Sequence, residues 1–164
     1  MTMPSWYDVM DLDERSKETC KGIEASAEKI HSILRDEHEL SGLPYSRMVL
    51  AGFSQGGALS LFAGMQLEQA LAGVLVLSGY LPCANKIRIT EGLQDTPILH
   101  LHGEADPIVP YKELAESQRV AMDCGARRYS VKSYPDLAHS ISPEVVNDMI
   151  EFLCQVLPPD NVGI

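Results

Sequence analysis

Apolar residues follow two rhythms along this chain. In the first, Ile23, Ala27, Ile30 and Leu34 recur at steps of four, three and four within residues 16–40, one stripe of an amphipathic helix that also carries His31 and His38. In the second, short apolar runs lie between turn residues: RMVLAG (47–52), AGVLVLSG (72–79), PILHLH (97–102) and RRYSVKSY (127–134), the last rich in β-branched and aromatic residues. Unbroken runs of this kind mark parallel strands, so RMVLAG is expected to be buried on both faces. Helical stretches separate them: GALSLFAGMQLEQAL (57–71), Tyr111–Cys124 with Gly125 as its terminating glycine, and a last segment with Ser142 as N-cap and Pro143 at the first helical position. That last helix sets Val145, Val146, Met149, Ile150, Leu153, Val156 and Leu157 on one broad face. Strands alternating with helices predict an α/β fold, a mostly parallel sheet with helices on both faces.

Composition narrows the function classes. At 164 residues and 45% hydrophobic, the chain is expected to form one domain over residues 1–164, with no repeats and no low-complexity linker. Its 13 basic and 23 acidic residues give a formal charge of −10, spread along the chain, which argues against nucleic acid or an anionic membrane surface as partner. Cysteines at 20, 83, 124 and 154 form no Cys-x-x-Cys motif and read as reduced thiols. The opening MTMPSWYDVMDLDE lacks a basic region followed by an apolar stretch, and no run reaches the roughly 18 apolar residues of a membrane helix. A soluble, cytoplasmic protein is the expectation.

The chemistry concentrates at AGFSQGGAL. Gly52-Phe53-Ser54-Gln55-Gly56 fits Gly-x-Ser-x-Gly, in which a strand turns sharply into a helix and exposes a strained serine. Its setting, between a buried run and a helix that starts at once, is the one the motif requires, and its glycines are expected where a Cβ would collide with neighbouring backbone. The helix start would aim the Gln55 amide at an oxyanion. A serine nucleophile needs a histidine base and a carboxylate to orient it. His139 lies in a loop after the last strand and Asp106 in a loop after PILHLH, so both project, with Ser54, from the carboxyl edge of a parallel sheet. The order Ser54, Asp106, His139 is that of α/β hydrolases. Glu104 is a rival acid, and Asp136 reads as a turn-capping residue. His100 and His102 share one side of their strand and read as buried, hydrogen-bonded histidines, a metal pair lacking a third ligand; His31 and His38 read as solvated. No metal or cofactor is implied.

MPSWYD, GFSQGGALSL, LSGYLP, HLHGEADPIVP and AHSISPEVVNDMIEFL together resemble the acyl-protein thioesterase and lysophospholipase-like carboxylesterases, a likeness that runs from Met3 to about Pro159. The resemblance implies a cytosolic serine hydrolase of the α/β-hydrolase fold that releases palmitate from protein thioesters or cleaves lysophospholipids and simple carboxyl esters. It also makes Ser54 the nucleophile, Asp106 the orienting acid and His139 the base. Members of that family carry further strands ahead of the MPSW segment, including a loop with a second oxyanion donor, whereas this chain starts two residues before it. The sheet is therefore expected to lack its first strands, with an apolar edge open to self-association at RMVLAG. Loss of one oxyanion donor lowers turnover about 10²- to 10³-fold. The competing expectation is a relative that binds acyl chains or acylated proteins without cleaving them.

Overall fold

Each of the four apolar runs becomes a strand, and the strands pair in the order in which they are made. The computed structural model describes residues 4–9 and 19–159. Its elements are α1 (Ile23–Ser41), a 3-10 turn (Tyr45–Arg47), β1 (Val49–Phe53), α2 (Gln55–Gly64), β2 (Gly73–Leu77), β3 (Ile98–Gly103), α3 (Lys112–Asp123), β4 (Tyr129–Tyr134) and α4 (Pro143–Val156). The strands form one sheet, β1-β2-β3-β4, with every pairing parallel. In register, Ala51 faces Leu75, Leu75 faces Leu99 and Leu99 faces Ser130.

The two-residue period of a strand sorts its side chains onto two cores. Val74, Val76 and Ile98 pack with Ile23, Ala27 and Leu34 of α1, Leu59 and Phe62 of α2 and Ala121 of α3. Leu75, Leu77 and Leu101 point the other way and pack with Val145 and Phe152 of α4. Helices thus cover both faces, as the alternation of strands and helices requires. Ser142 caps α4 through a bond from the Val145 amide to its hydroxyl, with Pro143 in the first turn.

Four expectations need correction. Residues 16–18, where periodicity starts the first helix, lie outside the described residues, and α1 begins only at Ile23, because Cys20 (φ 42°) and Gly22 (φ 94°) take left-handed backbone angles that a right-handed helix cannot continue through. The second helix stops at Gly64 and does not run to Leu71. A Cβ on Gly64 would lie 2.6 Å from Val74 Cγ2, so the helix end is pressed onto the sheet and the chain turns there, while Leu67 and Leu71 reach the same core from the connection to β2. β1 is not buried on both faces: Ala51 and Phe53 are exposed and the rest half-buried, since among the described residues β1 pairs with β2 alone. Nor are His31 and His38 simply solvated; His31 Nε2 is 3.0 Å from the Ala63 carbonyl and His38 Nδ1 is 2.6 Å from that of Leu43, so α1 is tied to α2 and to its own C-terminal turn.

Phe152 anchors the α4 face. Its ring stands where a Cβ on Gly73 would be, 2.7 Å away, so the glycine opens the slot that the ring fills. Phe152→Ala is expected to lower the free energy of unfolding by about 3–5 kcal/mol, through lost burial and the void left behind. Denaturant unfolding at unchanged m-value measures it; a loss under 1 kcal/mol would mean that the slot is not load-carrying.

Candidate active site

The turn from β1 into α2 is held in an unfavourable shape by its neighbours. Ser54 sits at φ 55°, ψ −122°, as the N-cap of α2. For a residue with a Cβ that conformation costs on the order of 1–3 kcal/mol. The turn persists because backbone is packed directly against backbone. A Cβ on Gly52 would lie 2.2 Å from the Gly56 carbonyl carbon and oxygen, and one on Gly57 would lie 2.8 Å from Gly52 O and 3.3 Å from Leu77 O. The Ser54 amide also donates to Leu77 O at 2.8 Å, which registers the turn to β2. Gly56 departs from the expectation for its motif, since nothing lies within 4 Å of the Cβ it lacks. It faces an open cleft of about 500 Å³ lined by Pro4, Ser5, Trp6, Phe53, Ser54, Gln55 and Gly56.

Two further loops reach this turn from the same sheet edge. The loop after β3 and the loop after β4 touch at Gly103, where a Cβ would fall 2.1 Å from Leu137 O. Backbone bonds from Glu104 to Tyr134 O (2.9 Å) and from Ala105 to Leu137 O (3.1 Å) fasten them together. Asp106 and His139 are carried into contact as a result. Asp106 Oδ1 accepts from the amides of Ile108 (2.8 Å) and Val109 (2.9 Å), which fixes the carboxylate's rotation. His139 donates Nδ1–H to Asp106 Oδ2 at 2.7 Å, and its Nε2 accepts from the Ser54 hydroxyl at 2.9 Å. The Asp106 side chain is fully buried and that of His139 is 16% exposed, its ring 4.7 Å from that of Phe53. Ser54, His139 and Asp106 are therefore brought together.

The rival acids are elsewhere engaged. Glu104 accepts from the Ser133 hydroxyl at 2.6 Å, and Asp136 is exposed on the surface. Gln55 begins α2, so its amide is the first of the helix's unpaired N–H donors. His100 and His102 are buried and bonded: His100 Nδ1 is 2.9 Å from the Tyr129 hydroxyl, and His102 Nε2 is 2.9 Å from Val109 O. Burial pushes His100 down to about 3 and lowers His102 as well, with the nearby Asp106 charge opposing the latter shift. Both rings are neutral at neutral pH.

Two features escape a reading of the sequence alone. His102 lies 3.6 Å from Asp106 Oδ2, a contact whose only trace in the chain is the four-residue spacing His102–Asp106. The Gln55 side chain accepts from the Trp6 amide at 2.9 Å and donates to Tyr7 O at 2.9 Å, clamping residues 4–8 against the serine turn. Nothing in the periodicity signals that bond.

Comparisons with known proteins identify the family of the chain. Residues 1–157 match the model of the phospholipase/carboxylesterase family. Acyl-protein thioesterase 1 of Gibberella zeae is 38% identical over an alignment of 173 positions that covers 98% of this chain and 72% of that protein. Its counterpart in Emericella nidulans is 36% identical, covering 99% and 72%. Among solved structures, Arabidopsis thaliana SOBER1 superposes with a TM-score of 0.80 at 26% identity over 93% of this chain and 74% of that one. Zea mays acyl-protein thioesterase 2 gives 0.79 at 27% identity, over 93% and 72%. With the family match running along almost the whole chain and the sheet superposing on its solved relatives, the protein belongs to the phospholipase/carboxylesterase family of α/β hydrolases.

Proposed function

We propose that this hydrolase cleaves acyl thioesters and carboxyl esters, with Ser54 as nucleophile, His139 as base and Asp106 as the carboxylate that orients it. The observation that carries the proposal is the unbroken line of bonds from Ser54 Oγ through His139 to Asp106 Oδ2, at 2.9 and 2.7 Å. A free serine hydroxyl is a weak nucleophile at neutral pH, and a histidine within hydrogen-bond reach removes its proton as the new bond forms. Ser54 Oγ attacks the acyl carbonyl, His139 takes the proton, and Asp106 stabilises the imidazolium. Negative charge collects on the carbonyl oxygen, toward which the N-terminus of α2 presents the Gln55 amide. Collapse expels the thiol or alcohol, which receives the proton from His139. Water, activated by the same histidine, then releases the carboxylic acid and restores Ser54. Every group in this sequence of steps belongs to the chain or to water.

Apolar walls beside Ser54 favour an acyl chain as the recognised part of the substrate. Trp6 and Phe53 line the cleft, 41% and 37% exposed. Since relatives over nearly the whole chain are named acyl-protein thioesterases, acylated proteins are the proposed physiological substrate, with lipid esters as the second class. Four thiols without a disulfide suit a reducing compartment such as the cytoplasm. No helix among the described residues is long and apolar enough to cross a membrane.

Hydrolysis of a p-nitrophenyl ester and of a fatty-acyl thioester peptide should disappear in Ser54→Ala, together with labelling by a fluorophosphonate; unchanged turnover would refute the assignment. Asp106→Asn should retain the fold and lose about 10⁴-fold in kcat, as when the wrong histidine tautomer is imposed in a comparable triad. Adding His139→Ala to Ser54→Ala should cost little more, because residues acting as one unit are not additive.

The Gln55 clamp has its own reporter, as Trp6 is the single tryptophan of the chain. Gln55→Ala keeps the backbone amide but removes two of the bonds on residues 4–8, leaving those from Tyr7 to Tyr80, from the Asp8 amide to Lys21 O and from Ser26 to Trp6 O, so tryptophan emission should shift modestly to the red and acrylamide quenching should rise. An unaltered spectrum would mean that the segment is held by other contacts.

A further inference from the structure

Hydrogen bonding does not end at Asp106. Behind it, on the covered face of the sheet, runs a second line of side chains. The Tyr129 hydroxyl of β4 is 2.9 Å from His100 Nδ1, His100 Nε2 is 3.4 Å from His102 Nδ1, and His102 Nε2 is 2.9 Å from Val109 O and 3.6 Å from Asp106 Oδ2. All of these side chains are buried, the two histidines at 0% and 1% exposure. The groups facing the His102 ring are His100 on the same strand, Asp106 in the loop after it, Tyr111 at the start of α3 with ring centroids 6.3 Å apart, and His139 beyond the carboxylate.

The proton positions follow from chemistry. A carbonyl can only accept, so His102 carries its proton on Nε2, where Val109 O meets it. Its Nδ1 is then an acceptor, His100 donates from Nε2, and His100 Nδ1 accepts from the Tyr129 hydroxyl. One tautomer of each neutral ring suits these side-chain partners and Val109 O, and the Gly79 carbonyl also accepts from His100. At the far end Val109 is held twice, its amide donating to Asp106 Oδ1 and its carbonyl accepting from His102. His102 therefore pins the turn that grips one carboxylate oxygen and lies against the other, the oxygen that His139 uses. A neutral ring there leaves the Asp106 charge whole. An imidazolium in its place would share that charge and weaken the stabilisation of His139 when it is protonated during hydrolysis.

We propose that His102 is a positioning residue for Asp106, with its tautomer fixed by the Val109 carbonyl and matched outward through His100 to the Tyr129 hydroxyl. This rests on the proposed role of Asp106 in a serine hydrolase.

The first test needs no activity. In long-range proton–nitrogen spectra of the full chain labelled with ¹⁵N-histidine, His100 and His102, assigned by single substitutions, should both show the neutral Nε2–H form at pH 7. A His102 that is charged there, or that carries its proton on Nδ1, overturns the proposal whether or not Ser54 proves to be the nucleophile. The second test uses kinetics on a p-nitrophenyl ester. His102→Leu should lower kcat about 10- to 100-fold, the scale of a small misplacement of a reacting group, with KM within about twofold. The acid limb of the kcat/KM profile should move to lower pH, because a displaced carboxylate stabilises the protonated base less. His102→Gln, which can return an N–H near Nε2, should recover much of the loss. Tyr129→Phe, which keeps the buried ring, should lower kcat severalfold in the same sense and decides the matter if His102→Leu does not fold. A fall in melting temperature alone, with kcat per folded molecule and the pH profile unchanged in both His102→Leu and Tyr129→Phe, overturns the proposal. Loss of all esterase activity in the wild type would instead strike at the hydrolase assignment and leave the spectra to judge the tautomers.

Discussion

The site depends on a single constraint, that loops leaving a parallel sheet from one edge approach each other more closely than side chains allow. Parallel pairing sends β1, β3 and β4 out on the same side, and Ser54, Asp106 and His139 follow those three strands. A common edge brings them only into the same neighbourhood. The last few ångströms come from Gly103, where the backbone of one loop takes the space of a missing Cβ against Leu137, and from the bonds Glu104–Tyr134 and Ala105–Leu137 beside it. Any side chain at Gly103 forces those loops apart, and the 2.7 Å bond between His139 and Asp106 spans that gap.

The same economy of space holds at the serine. Strain of about 1–3 kcal/mol at Ser54 persists only if the surroundings over-determine the turn. Here they do so by three backbone contacts: Gly52 against Gly56, Gly57 against Gly52, and the Ser54 amide on Leu77 O. The ladder is extended one step further along the sheet by Ser78, whose amide reaches Leu101 O at 2.8 Å. The serine turn is thus registered through β2 to β3, the strand that precedes Asp106. The shape of the turn at Ser54 and the shape of the loop at Asp106 are linked through the pairing of the central strands.

What was legible in the sequence was whatever is local. The four strands and the capped last helix each depend on spacing within a segment; the order Ser54, Asp106, His139 is read off the chain directly, and the sheet topology turns that order into proximity. What was not legible depends on partners distant in sequence. RMVLAG has the composition of a strand covered on both faces, yet β1 is half-exposed, because cover comes from neighbours that its own residues do not encode. The helix after Ser54 continues to Leu71 by periodicity and stops at Gly64 because Val74, from the next strand, occupies the space beneath it. Within AGFSQGGAL, Gly56 is indistinguishable from Gly52 and Gly57, but only the latter two are pressed by backbone; Gly56 borders the cleft instead. The Gln55 clamp joins residues almost fifty positions apart, and no pattern within either segment announces it.

Glu104 and Asp106 differ in local geometry in a way that composition does not show. Both carboxylates leave the end of β3 on the same loop, two residues apart. Asp106 has the shorter side chain, and that length lets Oδ1 fold back onto the amides of Ile108 and Val109, two and three residues ahead, as aspartates do in turns. With one oxygen held by the backbone, the other has a fixed direction, and it is the one that meets His139. Glu104 has one more methylene and its backbone is tied to Tyr134, so its carboxylate is carried out to Ser133 on β4, where it is exposed. The extra reach that makes glutamate a plausible partner in sequence carries its carboxylate to Ser133 and away from His139. Burial completes the distinction. Asp106 has no exposure and three donors around it, two backbone amides and the His139 Nδ1–H, so its charge is solvated by protein dipoles in place of water.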